Sequence, residues 1–147
     1  MTTEMDDWNT KAIAEFRGSD GRTEMWGDRL VIIHSIGAKS GEERLNPVLG
    51  IPRDGSWLVI ASRGGAPQPP SWYWNLRAHP DVILEANVGG SIAEVPVSAT
   101  EITDDAEYAL AWALFTQASP AFEKYTEKTE GRRMQILELT PREGAQP

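Results

Sequence analysis

Cysteine is absent from this chain of 147 residues, and only two histidines are present. Without cysteine there can be no disulfides, thiolate zinc sites, iron–sulfur clusters or cysteine nucleophiles. The absence fits a reducing compartment, so we expect a cytoplasmic protein. His34 and His79 have no second histidine or carboxylate at ligand spacing. We therefore expect no metal site and interpret both as packed or hydrogen-bonded histidines.

Long hydrophobic runs and an excess of positive charge are also missing. Apolar runs such as those at 30–33 and 57–61 are far shorter than the ~20 residues that span a bilayer. The N-terminus is acidic and polar and lacks the pattern of a signal peptide. The net charge of −8 repels phosphates and anionic lipid. We therefore expect neither stable membrane insertion nor nucleic-acid binding.

Positive charge is nevertheless concentrated in one segment. Residues 37–77 hold five cations and three anions, so the segment carries +2 within a chain of net charge −8. This indicates either a discrete anionic ligand or a chance clustering, and charge alone favours neither. The five cations are Lys39, Arg44, Arg53, Arg63 and Arg77.

The hydrophobic pattern predicts about six strands and three or four short helices. The apolar face of the third helix is expected to hold Ala106, Leu110, Ala113 and Leu114. Hairpin signals such as Asp54-Gly55 and the scarcity of long crossovers favour an antiparallel sheet. We expect helices at 7–17, 72–78, 104–117 and 121–129, and strands at 30–36, 44–51, 56–62, 82–87, 91–102 and 134–139.

The whole chain, residues 1–147, is expected to form one domain, because ~100–200 residues is the usual domain size. The element order predicts a mainly β fold with flanking helices. A closed or split β-barrel is the preferred architecture, since closure removes the sheet edges that so short a chain cannot cover.

A glycine turn at 37–41 is the first candidate ligand site. Its sequence, Gly37-Ala-Lys-Ser-Gly41, is similar to the end of a P-loop, but residue 33 is Ile where that motif needs its first glycine. Exposed backbone N–H groups, with Lys39 and Ser40 beside them, can hold an anion. Taken alone, a plain hairpin turn with a solvated lysine is the more frequent explanation.

The segment 61–75 is the second candidate, because it combines glycine, a cation and aromatic residues. Gly64-Gly65 follow a strand and permit close backbone approach to a ligand, and Arg63 supplies positive charge. The three successive aromatics at 72–74 cannot all face one core, because residues in a helix are ~100° apart. An exposed one suits a flat aromatic ligand with an anionic tail. The alternative is that two pack in the core and one shields the loop.

Together these segments resemble the deazaflavin-dependent nitroreductase and quinone reductase family, whose members use reduced coenzyme F-420. The family pattern runs G-x-K-S-G-x-x-R-x-x-P-L, a D-G hairpin, and S-x-G-G-A-P-x-x-P-x-W-x-x-N-L. Here it reads Gly37-Ala-Lys-Ser-Gly-Glu-Glu-Arg44-Leu-Asn-Pro47-Val-Leu49, then Asp54-Gly55, then Ser62-Arg-Gly-Gly-Ala-Pro-Gln-Pro-Pro70-Ser-Trp72-Tyr-Trp-Asn75-Leu76. The resemblance covers most of the chain, and two long motifs in one hairpin context are more specific than any single glycine pattern.

The resemblance implies a split β-barrel like that of FMN-binding proteins, with a deazaflavin site. It implies that Lys39, Ser40 and Arg44 hold the coenzyme's phosphodiester and carboxylate tail, and that Arg63 is a further cationic contact. An arginine fork grips a phosphate or carboxylate at two atoms. The implied walls are Leu45, Asn46, Pro47, Val48, Leu49, Ala61, Ser62, Gly64, Gly65, Ser71, Trp72, Trp74 and Asn75, with Pro47, Trp72 and Trp74 framing the ring.

Departures from the family pattern concern the acceptor side. Members often carry His where this chain has Trp74 and His where it has Pro70. Tyrosines shape the pocket of nitroimidazole-reducing members, and here Phe122 and Tyr125 stand in the comparable place, so one hydroxyl is missing. We expect Trp74, Phe122 and Tyr125 to bind the acceptor. Tyr125 would hydrogen-bond an acceptor oxygen, either to orient it or to donate a proton.

The expected function is hydride transfer from reduced F-420 to an electrophilic small molecule, namely a quinone, an activated enone or lactone, or a nitroaromatic. The coenzyme supplies the chemistry, and the protein aligns donor and acceptor. A barrel that binds a cofactor or lipid without turnover stays open as an alternative, and so does an FMN-dependent relative. The spread of Lys39, Arg44 and Arg63 favours a longer anionic tail than FMN has. We expect a monomer, with a dimer as the alternative.

Overall fold

The computed structural model describes residues 4–142, and in that range it contains seven strands, four α-helices and one 3-10 turn at Arg63–Gly65. Residues 1–3, which contribute to the signal-peptide expectation, lie outside this range. The helices are α1 (Glu4–Gly18), α2 (Ser71–Ala78), α3 (Asp105–Ala118) and α4 (Ala121–Tyr125). The strands are β1 (Leu30–Ile36), β2 (Glu43–Leu49), β3 (Ile51–Arg53), β4 (Ser56–Ile60), β5 (Asp81–Val88), β6 (Ser91–Glu101) and β7 (Ile136–Pro141).

All seven strands belong to one antiparallel sheet in the order β2-β1-β5-β6-β7-β4-β3. The two outermost strands, β2 and β3, are consecutive in the chain and are separated by Gly50 alone. The sheet therefore curls until its two ends meet through the chain itself. This confirms the expected barrel of antiparallel strands. Pro47 lies on β2, an edge strand in the sheet order, which is a position where its missing N–H costs no ladder hydrogen bond.

Gly50 forms the corner at which the chain leaves one side of the barrel for the other. Its N–H donates to the carbonyl oxygen of Arg29 at 2.7 Å. A Cβ at this position would lie 2.8 Å from both Cγ atoms of Val31, which is buried. The expectation of one strand over 44–51 was therefore wrong in one respect. The chain bends at Gly50 and forms two strands with different partners.

The barrel interior is filled by apolar side chains from the strands and from one face of α2. Trp72, Tyr73 and Leu76 of α2 are buried with Val59, Leu84 and other strand residues. The Tyr73 hydroxyl donates to Oε1 of Glu101 at 2.5 Å, so the polar end of this buried ring is satisfied. Burial raises the pKa of the Tyr73 hydroxyl, as does the bond to Glu101. Helix α2 is thus fixed by its contacts with the barrel.

Helices α3 and α4 cover a second apolar cluster beside β4 and β7. Asp104 caps α3 by accepting a hydrogen bond from the N–H of Glu107 at 3.0 Å. The predicted buried face was wrong at Ala106 and Leu110, which are exposed, and right at Leu114, which packs against the cluster. The fully buried residues of α3 are Ala111 and Phe115. Residues 109–115 form an uninterrupted apolar run, so periodicity could not select a face.

Helix α4 ends at Tyr125 rather than at the predicted residue 129. After it the chain continues in i→i+3 turns, for example from the N–H of Lys128 to the carbonyl oxygen of Tyr125 at 3.0 Å. Such turns are tighter than an α-helix and rarely extend far.

Helix α1 packs on the outside of the barrel, where its Phe16 is buried against Leu30 and Ile32 of β1. Beneath it lies Glu85 of β5, which is only 4% exposed. Arg17 donates to Glu85 from Nε at 3.1 Å and from Nη2 at 2.6 Å, and His34 Nε2 lies 2.6 Å from Glu85 Oε2. His34 is thus hydrogen-bonded, as expected. His79 is exposed just after α2, so the expectation of a packed histidine was wrong there.

No helix among residues 4–142 is both long and apolar enough to cross a membrane.

Candidate active site

A cavity of about 550 Å³ opens where β2, the end of β4, and helices α1, α2 and α4 meet. Its size lies within the ~300–1,000 Å³ range of small-molecule sites. It is lined by Trp8, Asn9, Met25, Trp26, Asn46, Pro47, Val48, Leu49, Ile60, Ser62, Arg63, Gly64, Pro70, Ser71, Trp72, Ser119, Ala121, Phe122 and Tyr125.

The fold brings together most of the wall residues that the sequence pointed to. They come from four segments, at 46–49, 62–64, 71–72 and 122–125, which the curled sheet brings together. Those on the cavity are Asn46, Pro47, Val48, Leu49, Ser62, Arg63, Gly64, Ser71, Trp72, Phe122 and Tyr125.

The charge of this wall is unusual for such an acidic protein. The chain has 22 acidic residues, yet none of the described residues that line the cavity is Asp or Glu. Arg63 is the only charged side chain among the described residues of that wall. The cavity therefore combines aromatic surfaces with a single positive charge, which suits a flat ligand that carries an anionic group.

Trp74 does not reach the cavity, although the sequence analysis placed it beside the ring. Its side chain is 47% exposed and packs edge-on against Tyr73, with the Arg77 guanidinium 5.7 Å from its ring centroid. Trp72 and Trp74 are two residues apart on α2, so they are ~200° apart around its axis. Only Trp72 can face the cavity. The expectation that one of the three aromatics is exposed is confirmed, but the exposed residue is Trp74, while Trp72 and Tyr73 pack in the core as the alternative held.

Three further predicted wall residues lie behind the cavity surface. Ala61 is fully buried in the barrel core, and Leu45 packs toward α1. Gly65 lies against α4, since a Cβ there would come within 2.5 Å of the Tyr125 carbonyl oxygen and 2.8 Å of its Cα. Gly65 therefore acts by permitting close approach of the 63–65 turn to α4, which carries Tyr125 to the cavity.

The turn at 37–41 lies beside α2, outside the cavity wall. The N–H of Ala38 donates to Asn75 Oδ1 at 3.0 Å, and Asn75 Nδ2 donates to Ser35 Oγ at 3.4 Å. Ser35 Oγ in turn donates to Oδ1 of Asn46 on the cavity at 2.7 Å. Asn75 thus links the turn to α2 and, through Ser35, to β2. Lys39 and Ser40, both exposed, lie on the turn that this bond to Asn75 holds.

Arg44 continues the line of side chains that leads out of the cavity along β2. Arg44, Asn46 and Val48 alternate with their neighbours and share one face of the strand, at ~6.6 Å per pair of residues. The Arg44 side chain is 58% exposed and lies 3.7 Å from the Glu42 carboxylate. A ligand that leaves the cavity along this face would meet Arg44 and then the 37–41 turn.

The sequence analysis missed the cavity residues contributed by α1, by the following loop and by the segment before α4. Trp8 lies at the start of the predicted helix 7–17, and Met25 and Trp26 lie in a polar loop without periodicity. Arg132 was also missed, although it binds the backbone of the cavity loop at 61–66. The missed lining residues are Trp8, Asn9, Met25, Trp26, Ile60, Pro70, Ser119 and Ala121.

The comparisons with known proteins agree on one family. The sequence model of F420H(2)-dependent quinone reductases matches residues 8–141. The chain belongs to this family. Its relative F420H(2)-dependent quinone reductase Rv1261c of Mycobacterium tuberculosis is 34% identical over 137 residues, which cover 88% of this chain and 87% of the relative.

Solved structures show the same relationship. The F420-H2 dependent reductase FDR-A is 30% identical with a TM-score of 0.65, covering 76% of this chain and 93% of that one. A domain-swapped dimer is 29% identical with a TM-score of 0.66, covering 92% and 99%. HutZ, the heme storage protein of Vibrio cholerae, has a TM-score of 0.61 at 13% identity over 94% of this chain and 93% of that chain, which shows the shared fold alone.

The protein is therefore an F-420-dependent reductase with a split β-barrel fold, as the resemblance implied. The residues of the cavity fit that coenzyme. Trp72 offers an aromatic surface for a flat ring, and Arg63 offers a cation for an anionic group. Within residues 4–142, no three His, Asp or Glu side chains cluster closely enough to hold a metal ion.

Proposed function

We propose that the protein reduces a quinone with reduced F-420, and that the coenzyme ring and the acceptor share the 550 Å³ cavity. The observation that carries this proposal is the cavity wall, which has aromatic surfaces, one arginine and no carboxylate among its described residues. Membership of the quinone reductase family favours a quinone over an enone, lactone or nitroaromatic as the acceptor.

The coenzyme side is formed by β2, the loop after β4 and the start of α2. Pro47 and Trp72 frame the ring, and Ser62, Arg63 and Ser71 supply polar contacts. Bound reduced F-420 supplies the hydride. The protein's contribution is to hold donor and acceptor at reacting distance and to exclude water from between them.

The residues that would hold the anionic tail lie outside the cavity, along β2 and beside α2. Asn46 lines the cavity, and Arg44 lies on the same face of β2 beyond it. Lys39 and Ser40 lie on the turn that Asn75 holds beside α2. Cations and backbone N–H groups in this row match a chain that carries phosphate and carboxylate groups.

The acceptor side is formed by α4 and by the apolar residues near α1. Phe122 contacts Tyr125 edge-on, with ring centroids 5.8 Å apart, and Trp8, Met25 and Trp26 complete the wall. An apolar wall suits a quinone ring, and the Tyr125 hydroxyl is the group that we propose to hydrogen-bond one of its oxygens. Trp74 lies off the cavity and is therefore not part of the proposed acceptor site.

Replacement of Tyr125 by Phe tests the acceptor side. Tyr125→Phe keeps the ring contact with Phe122 and removes the hydroxyl. We expect kcat/KM for the quinone to fall about tenfold, the value of one lost hydrogen bond, while the Kd for F-420 stays the same. This fall in kcat/KM is measured by steady-state kinetics at saturating coenzyme. An unchanged kcat/KM would show that the Tyr125 hydroxyl has no role in the reaction.

Binding of the coenzyme is the first measurement, read from quenching of tryptophan fluorescence. Trp72 and Trp26 lie on the cavity, so a bound ring should quench them. Saturable binding of F-420 with much weaker binding of FMN supports the proposal. Binding without oxidation of reduced F-420 by any quinone would instead support a non-catalytic barrel. Tighter binding of FMN would favour an FMN-dependent enzyme.

Several expectations from the sequence remain part of this proposal. We propose one split-barrel domain over residues 1–147, a cytoplasmic location and a monomer. A dimer is the alternative, since one similar structure is a domain-swapped dimer. Size-exclusion chromatography with light scattering separates the two.

A further inference from the structure

We propose that Arg132 is a positioning residue for the coenzyme, because it holds the 61–66 loop in shape and places a second positive charge behind Arg63. The inference rests on the proposed function, since it concerns the same cavity. Arg132 precedes β7 and does not line the cavity itself.

All five N–H groups of the Arg132 guanidinium have acceptors, and four of them donate to three backbone carbonyls of the loop. Nε and Nη2 donate to the Ala66 oxygen at 3.2 and 2.7 Å, and Nη2 also donates to Ser62 at 3.0 Å. Nη1 donates to the Ala61 oxygen and to Gln135 Oε1, both at 2.9 Å. The bonds therefore fall on both sides of the 63–65 turn.

The turn that Arg132 encloses is strained and depends on support from outside. Arg63 has a φ of +47°, in the left-handed region, and is followed by Gly64 and Gly65 at +64° and +85°. A left-handed conformation costs a non-glycine residue ~1–2 kcal/mol. Without Arg132 the turn is free to relax, and the Arg63 side chain would then leave the cavity wall.

The two arginines also form an uncompensated positive charge. Among the described residues, neither Arg63 nor Arg132 forms an ion pair with a carboxylate. Burial lowers the pKa of Arg132, and the nearby positive charge of Arg63 lowers it further. Two cations without a partner carboxylate favour an anionic ligand at this wall of the cavity.

The experiment compares Arg132→Gln, Arg132→Lys and, as a matched control, Arg133→Gln. Arg133 pairs with Asp105 at 2.9 Å and lies over the Tyr108 ring, away from the cavity wall. We expect Arg132→Gln to raise the Kd for F-420 about tenfold or more, the scale of a charge-assisted contact. Arg132→Lys should raise it less, and Arg133→Gln should leave it within about twofold.

Salt dependence separates the role of the charge from a merely structural role. Arg132→Gln should bind F-420 with a weaker dependence on ionic strength than the wild type, whereas Arg132→Lys should keep that dependence because it keeps the charge. With coenzyme saturating, both variants should keep the wild-type KM for the quinone. Thermal unfolding is measured alongside to show that each variant is folded.

The inference is overturned if Arg132→Gln or Arg132→Lys lowers the melting temperature yet binds F-420 with wild-type affinity and salt dependence. If Arg132→Gln does not fold, the conservative Arg132→Lys variant decides, since it loses the fork and keeps the charge. Wild-type protein that fails to bind F-420 would overturn the proposed function itself, which is a different outcome.

Discussion

At the scale of single residues, the positive side chains around the cavity differ in what holds them. Arg132 is bound to backbone oxygens, Arg44 lies near Glu42, and Lys39 is exposed on its turn. Arg44 and Lys39 can therefore turn toward a ligand without breaking buried interactions, whereas Arg132 cannot. Ligand binding and fold stability should respond to their removal in different ways.

Lys39→Ala and Arg44→Ala should each raise the Kd for F-420 about tenfold or more, the loss of one charge-assisted hydrogen bond. Both side chains are exposed, so the melting temperature should stay within about 1 °C. Fluorescence titration and thermal unfolding measure the two effects. Arg53→Ala is the control, since Arg53 belongs to the same cationic segment but pairs with Glu138 at 3.5 Å off the cavity. A loss of stability without a loss of affinity would make Lys39 and Arg44 structural.

Glu85 gives the protein a pH-dependent stability. Burial raises the pKa of Glu85, but hydrogen bonds from Arg17 and His34 outweigh it and hold the pKa below its usual range. Because the folded pKa lies below the unfolded one, the stabilisation is fully present above the ordinary glutamate pKa of ~4.3. It is lost as the pH falls through the folded value.

Glu85→Gln should therefore lower the free energy of unfolding at pH 7 by about 2 kcal/mol, less than for a fully buried pair because Arg17 is half-exposed. Below about pH 4 the difference from wild type should shrink. Denaturant unfolding across this pH range is the measurement, with Glu43→Gln as the control because Glu43 is exposed and 3.4 Å from His34. A difference that is constant with pH would contradict the linkage.

At the scale of elements, the 63–65 turn and α4 fit together through Gly65. Gly65→Ala would place a methyl group against the Tyr125 backbone at 2.5 Å, and its φ of +85° disfavours any side chain. We expect a loss of about 2–4 kcal/mol in stability together with weaker F-420 binding, because Arg63, which lies in this turn, would shift.

Gly64→Ala is the matched control for that substitution. Gly64 also has a positive φ, of +64°, but a Cβ there meets nothing within 4 Å. Gly64→Ala should therefore lower the free energy of unfolding by only about 1 kcal/mol, the cost of a left-handed backbone for a residue with a side chain. Denaturant unfolding of the two variants separates the two costs, because Gly64→Ala introduces only backbone strain and Gly65→Ala introduces strain and a steric clash. Equal losses of unfolding free energy would show that the contact with α4 is unimportant.

At the scale of the whole molecule, the sheet curls into a barrel because its two edge strands, β2 and β3, are joined through Gly50. Gly50→Ala should lower the free energy of unfolding by about 1–3 kcal/mol, the usual cost of overpacking a core, since the new methyl group would press on buried Val31. Gly18→Ala, where nothing lies within 4 Å, is the control. A neutral Gly50→Ala would mean that the corner has room to adjust.

Part of the site was predictable because it is local in sequence. The motif around Lys39 and Arg44 and the segment from Ser62 to Trp72 are each continuous, and hairpin signals set them in one sheet. The direction in which neighbouring side chains point was less predictable. Trp72 faces the cavity and Trp74 faces solvent because the helix axis was fixed by packing of Tyr73 and Leu76 in the barrel.

The sequence by itself determined the antiparallel sheet, the capping of α3 and the two long motifs that indicated a deazaflavin coenzyme. These depend on spacing and residue type within short stretches. Only the tertiary structure decided that Arg132 binds the loop at 61–66 and that Trp8 and Met25 lie on the cavity. Such contacts join residues that are distant in the chain, and they form only after the sheet has closed on itself.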